Sequence, residues 1–288
     1  MRGRLLKIAQ LEGEKYVFLE QPEAILQGLR NSDARVDLFT FMQRLPDTTP
    51  KYTYPMEWDN FAALPVSTYD HWWKEQIGYK ARNKAKQAEK KGVVLREVTF
   101  DETLAQGICT VYNESPVRQG HRNTHYGKDV QTVYREAATF LDCSVFVGAY
   151  LGAELVGFIK MVIDESRTQA GLLNIVSMVK HRDKAPTNAL IAAAVRCCAE
   201  RRIPYLVYSN FAYGKRQTST LSDFKERNGF QKIEVPRYYV PLTPAGKLAL
   251  QFGLHHRLAD HVPESVAAKL RDLRTAWYNR KFSSMTEA

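Results

Sequence analysis

Apolar positions in this chain fall into short runs whose spacing switches between strand-like and helix-like. The clearest series begins at Val145–Leu151, turns at Gly152-Ala153 and returns as Leu155–Ile163. A third run, Leu172–Val179, leads into the polar loop His181–Asn188, and Leu190, Ile191, Ala194, Val195 and Cys198 then share one helical face. Ile203–Tyr208 reads as a strand, Ser209–Ser222 as a long polar loop, and the helix after it stops at Gly229. Ile233–Leu242 reads as a closing strand interrupted by Pro236.

Upstream, Leu5–Leu19 alternates weakly, as a strand pair turning at Glu12-Gly13 would. Pro22–Arg30 has helical spacing and Val36–Phe41 reads as a buried strand. Pro46–Ser67, with its prolines and aromatics and no period, is expected to be an ordered loop. Tyr69–Val93 reads as one very basic helix stopped by Gly92. A strand over Val93–Val98 precedes a helix over Asp101–Asn113 with Asp101 as its cap. The tail, Pro244–Phe282, is helical, basic and amphipathic, with a break at Pro263.

Composition narrows the class. A chain of 288 residues, 44% hydrophobic and 25% charged, buries a full core and suits one large domain or two small ones. The longest apolar stretch, Val145–Ile163, contains Glu154, Lys160 and a turn, so it reads as a hairpin and not as a membrane span. Gln10, Glu12 and Glu14 interrupt the apolar run that a signal peptide needs, so a cytoplasmic location is expected. Cys109, Cys143, Cys197 and Cys198 lack metal-ligand spacing and read as free thiols, and no metal is expected. The formal net charge of +10 favours anionic partners, whether nucleic acid, acidic membrane or phosphorylated small molecules.

The loop before the small-residue helix is the first candidate for chemistry. A strand ending at a helix N-terminus leaves backbone N–H groups pointing outward, ready for an anion. Thr187 and Asn188 are good capping residues there, and Arg182 and Lys184 add positive charge. The alternative is an ordinary capped helix with solvated basic residues.

Three strands, a loop, a helix and a strand, followed by a helix ending in Asn228-Gly229-Phe230, resemble the GNAT acyltransferase superfamily over roughly Val93–Leu242. The stretch Arg82–Gly92 is similar to a segment of that superfamily's Fem-type branch, which uses aminoacyl-tRNA. The resemblance implies a GNAT-like splayed mixed α/β sheet flanked by helices, with the acyl donor in the gap. It also implies an organisation of an N-terminal α/β extension (1–92), an acyltransferase domain (93–243) and a helical tail (244–288).

The donor would be acyl-CoA, such as acetyl-CoA, or aminoacyl-tRNA. The strand carrying Val176, Ser177, Met178 and Val179 would orient its carbonyl through backbone N–H groups. The family's pyrophosphate loop usually reads Arg/Gln-x-x-Gly-x-Gly/Ala, and Arg182, Ala185 and Thr187 stand at the matching positions. The missing glycines fit a bulkier donor such as aminoacyl-tRNA. Asn210 matches an asparagine that contacts the pantetheine arm, and Lys225 stands where many members carry the tyrosine that protonates the leaving thiolate.

A second cluster runs from Glu114 to Lys128, where the resemblance puts the acceptor side. Glu114, His121 or His125 could deprotonate an attacking amine or hydroxyl near neutral pH. Arg118, Arg122 and Lys128 could hold an anionic acceptor, small or macromolecular, with His121 and Tyr126 beside them. A solvated basic loop would look the same. Tyr213 and Lys215, in a glycine-bearing basic loop, are further candidates for substrate contact.

The basic residues of Lys80–Lys91 could follow a tRNA or DNA backbone, or form a solvated helix face. The tail is expected to pack on the body, not to lie on a membrane. The leading expectation is an N-acyltransferase with Glu114, His125 and Lys225 as its catalytic groups. A nucleic-acid-associated protein or base-modifying acyltransferase on the same fold is the alternative.

Overall fold

The computed structural model describes residues 6–118, 121–212, 219–256 and Lys269. Its core is a nine-stranded mixed sheet. The strands are β1 (Ile8–Gln10), β2 (Leu38–Met42), β3 (Met56–Pro65), β4 (Val94–Val98), β7 (Ser144–Leu151), β8 (Glu154–Ile163), β9 (Gln169–Ser177), β10 (Tyr205–Val207) and β11 (Gln231–Pro241). Two short strands, β5 (Val117–Arg118) and β6 (His121–Arg122), form a separate hairpin. In space the large sheet runs β1-β2-β11-β3-β10-β9-β8-β7-β4, with β1/β2 and β9/β10 parallel and the other pairs antiparallel.

Helices cover both faces. On one side, α6 (Pro186–Glu200) packs Ala189, Leu190, Ala194, Val195 and Cys198 against Val145, Val147 and Ala149 of β7. Helix α3 (Tyr79–Lys90) joins it there through Ala81 and Ala88. On the other side, α4 (Glu102–Asn113) and α5 (Val130–Ala137) close over Phe146, Leu155 and Phe158. Adjacent residues of β7 thus serve opposite layers, as the two-residue period of a strand requires. Asp101 caps α4 as expected, its side chain accepting from Leu104 N–H at 2.7 Å.

Five expectations are corrected. Pro46–Ser67 is not all loop: β3 lies between β10 and β11, and its Phe61, Ala62, Ala63 and Leu64 are fully buried. A strand covered on both faces loses the alternation that would reveal it. Pro236 does not interrupt β11; it sits opposite Trp58, one residue beyond the reach of β2, where no ladder donor is needed. The basic helix is broken: α2 (Tyr69–His71) winds into a wide π turn over Trp72–Gln76, and extended Gly78 separates it from α3. Of the strand pair expected over Leu5–Leu19, the described part contributes only β1, followed by a turn at Gly13. Helix α6 is capped by Ala185, with Thr187 and Asn188 already inside it.

The first 92 residues do not stand apart from the sheet, because β3 is hydrogen-bonded on both edges to strands from beyond residue 200. Of the tail, α8 (Pro244–Gln251) packs on β11. The expected helix beyond it and its break at Pro263 lie outside the described residues.

Candidate functional site

The parallel pair β9/β10 opens into a wedge. Pairing holds for three registers, Tyr205↔Gln169, Leu206↔Ala170 and Val207↔Gly171. After Val207 the chain turns away from β9 and stays with β3: Tyr208 N–H donates to Ala62 O at 2.7 Å, and Ala62 N–H donates to Ser209 O at 2.8 Å. The Asn60 carboxamide oxygen then accepts from the N–H groups of Phe211 and Ala212 at 2.8 and 2.9 Å. β9 continues on β8, with Leu173 as an extra, bulged residue between registers. Gln169–Leu172 are buried, whereas Leu173–Ser177 are all half-buried. Among the described residues, no backbone–backbone bond joins Leu172–Ser177 to any segment but β8.

Where β9 ends, a turn over Val179–Lys184 leads into α6. Glu114, just past α4, places its two carboxylate oxygens on the N–H groups of Val179 (3.0 Å) and Lys180 (2.8 Å). Glu114 thus occupies the N–H groups at the start of the turn, ahead of the α6 N-terminus at Pro186. Met178 N–H is bonded to Val156 O at 2.8 Å. The expectation that Met178 and Val179 present N–H groups to a donor is therefore corrected, and the Glu114 carboxylate is engaged by the turn. Val176 lies opposite Phe158, the next hydrogen-bonded pair after Met178/Val156. Of these four residues Ser177 alone therefore turns its backbone to the open edge, and its Oγ meets Thr187 Oγ1 at 2.7 Å, tying β9 to α6.

Ala185, at the position matching a family glycine, has φ +52°. A left-handed residue with a Cβ costs about 1–2 kcal/mol, so the glycine-like backbone shape persists without the glycine. Arg182 is exposed, Lys184 reaches His181 and Asp183, and Gln87 of α3 and Lys91 at its C-cap hold Asp183 from outside.

The loop after α4 is folded by two asparagines that the sequence reading passed over. Asn123, 5% exposed, donates to the carbonyls of Tyr112 and Ser115 and accepts from His125 N–H. Asn113 accepts from Gly127 N–H at 2.6 Å and donates to Lys128 O at 2.9 Å. Together they set the His125 ring on that of Tyr112, whose hydroxyl accepts from Asn174 of β9 at 3.4 Å. Burial, then the charge of Lys128, lowers the His125 pKa below its ordinary 6.5, so the imidazole is neutral at pH 7. Lys128 Nζ is engaged by Glu136. The Arg118 guanidinium donates to Ser177 O, and its buried Nη1 has no partner. His121, Arg122 and Tyr126 are exposed around this loop.

The opposite flank carries Lys225, on α7 (Thr220–Arg227) and fully buried. Its Nζ donates to Asn210 O at 2.6 Å and lies 4.6 Å from the centre of the Tyr208 ring. Burial, helped by the neighbouring charge of Lys15, brings its pKa down to about 7. The Asn210 side chain is held by Lys15 Nζ at 2.6 Å and Asp59 at 2.8 Å. Tyr16 stacks against Gly171 at the apex of the wedge and its hydroxyl reaches Leu172 O at 3.4 Å. The apex is therefore roofed by the turn at Gly13–Tyr16, and the opening lies farther along β9. Nothing in the local pattern around Lys15, Tyr16 or Asn60 marks them as neighbours of residues 171–212. Tyr213 and Lys215 lie outside the described residues.

No family model matches this chain, and no curated protein matches it. Among solved structures it is similar to FemX, at 11% identity over 76% of this chain and 69% of that one, with a TM-score of 0.49. It is similar to L-PGS from Bacillus licheniformis, at 14% identity over 70% and 67% of the two chains, with a TM-score of 0.49. It is also similar to a putative acetyltransferase of the GNAT family from Desulfovibrio desulfuricans, at 14% identity over 52% of this chain and 99% of that one, with a TM-score of 0.38.

Proposed function

We propose that this chain is an acyltransferase that moves an acyl or aminoacyl group from a thioester or tRNA ester to an amine or hydroxyl. The observation that carries this reading is the wedge, where β9 leaves β10 after Gly171 and keeps a half-exposed edge up to the start of α6. An extended donor arm can take the place of the missing strand along that edge, as added strands do on other open sheet edges.

Each flank supplies one proton-transfer group. The neutral His125, held on Tyr112 next to Asn174, takes the proton of the attacking amine or hydroxyl. The new bond forms between the acceptor N or O and the acyl carbon, and the bond from that carbon to sulfur or to the ribose oxygen breaks. Lys225, in its ammonium form, gives the leaving atom a proton. Glu114 takes a holding role, fixing the turn that leads into α6. Placing both reactants in the wedge supplies most of the acceleration, worth ~7–11 kcal/mol when alignment is good.

The donor is anionic in this reading. A groove of about 490 Å³ beside the start of α6 is lined by Lys80, Lys84, Asn188, Thr220 and Arg227. Its cations fit the phosphates that coenzyme A and a tRNA 3′ end share. The α3 wall favours the longer polyanion, since exposed Lys80 and Lys84 give a nucleic-acid backbone two cations to follow.

Thermal unfolding of the full chain with acetyl-CoA, with longer acyl-CoAs and with aminoacylated tRNA tests the assignment. A true donor at 100 times its dissociation constant adds ~2.7 kcal/mol. A stabilisation by charged tRNA that falls steeply with salt selects the polynucleotide donor. If no donor shifts the transition, the assignment is wrong.

A further inference from the structure

The end of α8 and the outer part of β3 bring together three ligating side chains that acyl transfer does not use. Gly253, with φ +66°, ends the helix, and Leu254 N–H turns back to Ala249 O at 2.8 Å. The reversal sets His255 and His256 side by side, their ring centroids 4.0 Å apart. Both Nε2 atoms converge on one oxygen of Glu57, at 2.9 Å from His255 and 3.2 Å from His256. One ligand atom from each of the three residues lies within 4.8 Å of the other two. The His255 side chain is 4% exposed and packs edge-on against Tyr239, while Glu57 and His256 open to water at 42% and 38%.

Two imidazoles and a carboxylate are the donor set of a borderline dication such as zinc. Zn–N and Zn–O bonds of about 2.0–2.2 Å give a tetrahedral ligand–ligand edge of roughly 3.3 Å, close to both separations from Glu57. Metal binding would replace the two contacts that share one carboxylate oxygen. It would also put the His255 proton on Nδ1, a buried atom that has no partner now, so the change of tautomer sacrifices no further hydrogen bond. The open side leaves room for water to complete the coordination. Calcium and magnesium, which prefer all-oxygen shells, fit poorly.

We propose that Glu57, His255 and His256 form a zinc-class metal site that clamps the end of α8 to β3, across 198 positions of sequence between Glu57 and His255. The site is independent of the proposed transfer chemistry.

The test uses the untagged full chain, stripped with a chelator and then titrated with zinc, cobalt(II) or magnesium. Calorimetry is expected to give one zinc per chain, cobalt to give visible d–d bands of a nitrogen–oxygen site, and zinc to raise the unfolding temperature. Magnesium is expected to do none of these. Glu57→Gln keeps the residue's shape and is expected to weaken zinc binding at least tenfold, as is His255→Asn, whereas exposed His71→Ala leaves it unchanged. Unfolding curves in chelator show that each variant is folded. Absence of stoichiometric zinc binding, or zinc affinity unchanged in folded Glu57→Gln, overturns the proposal.

Discussion

The imidazole of His125 lies almost flat on the ring of Tyr112, with centroids 4.1 Å apart and planes 15° from parallel. That contact buries the ring and keeps it neutral, with Lys128 and Arg118 adding positive charge that disfavours protonation. His125→Ala is expected to lower kcat/KM about 10²–10⁴-fold, the usual worth of a positioned acid–base group. In the wild type the rate should rise with pH through a midpoint below 6.5 and fall as Lys225 deprotonates near 7. Loss of the acidic limb alone in His125→Ala, read from rate–pH profiles, checks the assignment.

Lys225 links function to stability. Between about pH 7 and 10.5 the unfolded chain holds a proton on this lysine and the folded chain does not. Stability from this group therefore rises with pH across that window, and the burial penalty is complete below about 7. Lys225→Met is expected to slow transfer, to flatten the rise in stability from pH 7 to 10, and to gain ~1–2 kcal/mol at pH 6 after loss of the bond to Asn210. Urea unfolding across pH measures both.

Glu114 holds the start of the Val179–Lys184 turn with two backbone bonds. Glu114→Ala should cost ~1–2 kcal/mol of stability, since charge-assisted bonds at a helix-like N-terminus are lost there. Glu114→Gln, which keeps one acceptor oxygen, should lose less than that and retain most of kcat. A collapse of kcat in a folded Glu114→Gln protein would restore the carboxylate to the role of base.

Much of the fold was legible because its signals are local. Gly152 and the apolar runs on either side announce β7 and β8, Asp101 announces α4, and Gly92, at φ +80°, ends the basic helix where expected. β3 escaped because Phe61–Leu64 are covered on both faces and prolines stand around and within the segment. Gly78, whose residue type suits a helix break, was hidden by helical spacing on either side of it.

The site was half legible. The density of histidines and cations from Glu114 to Lys128 drew attention to the loop that carries the proposed base, but Asn113 and Asn123 looked like ordinary polar residues until their bonds were seen. Tyr112 reads as helix core, and its link to Asn174 spans 62 positions. Lys15 and Tyr16 reach the wedge from more than 150 residues away, a relationship that only the folded sheet creates.

The most direct measurement is amide hydrogen exchange along β9, with and without an acyl donor. In the free protein, the amides of Leu172–Ser177 that face away from β8 should exchange much faster than the buried β8 amide of Ile159, and a saturating acyl-CoA or aminoacyl-tRNA should slow them roughly tenfold or more. If those β9 amides are already as protected as Ile159, and no donor changes them, there is no open edge for an acyl arm and the account fails.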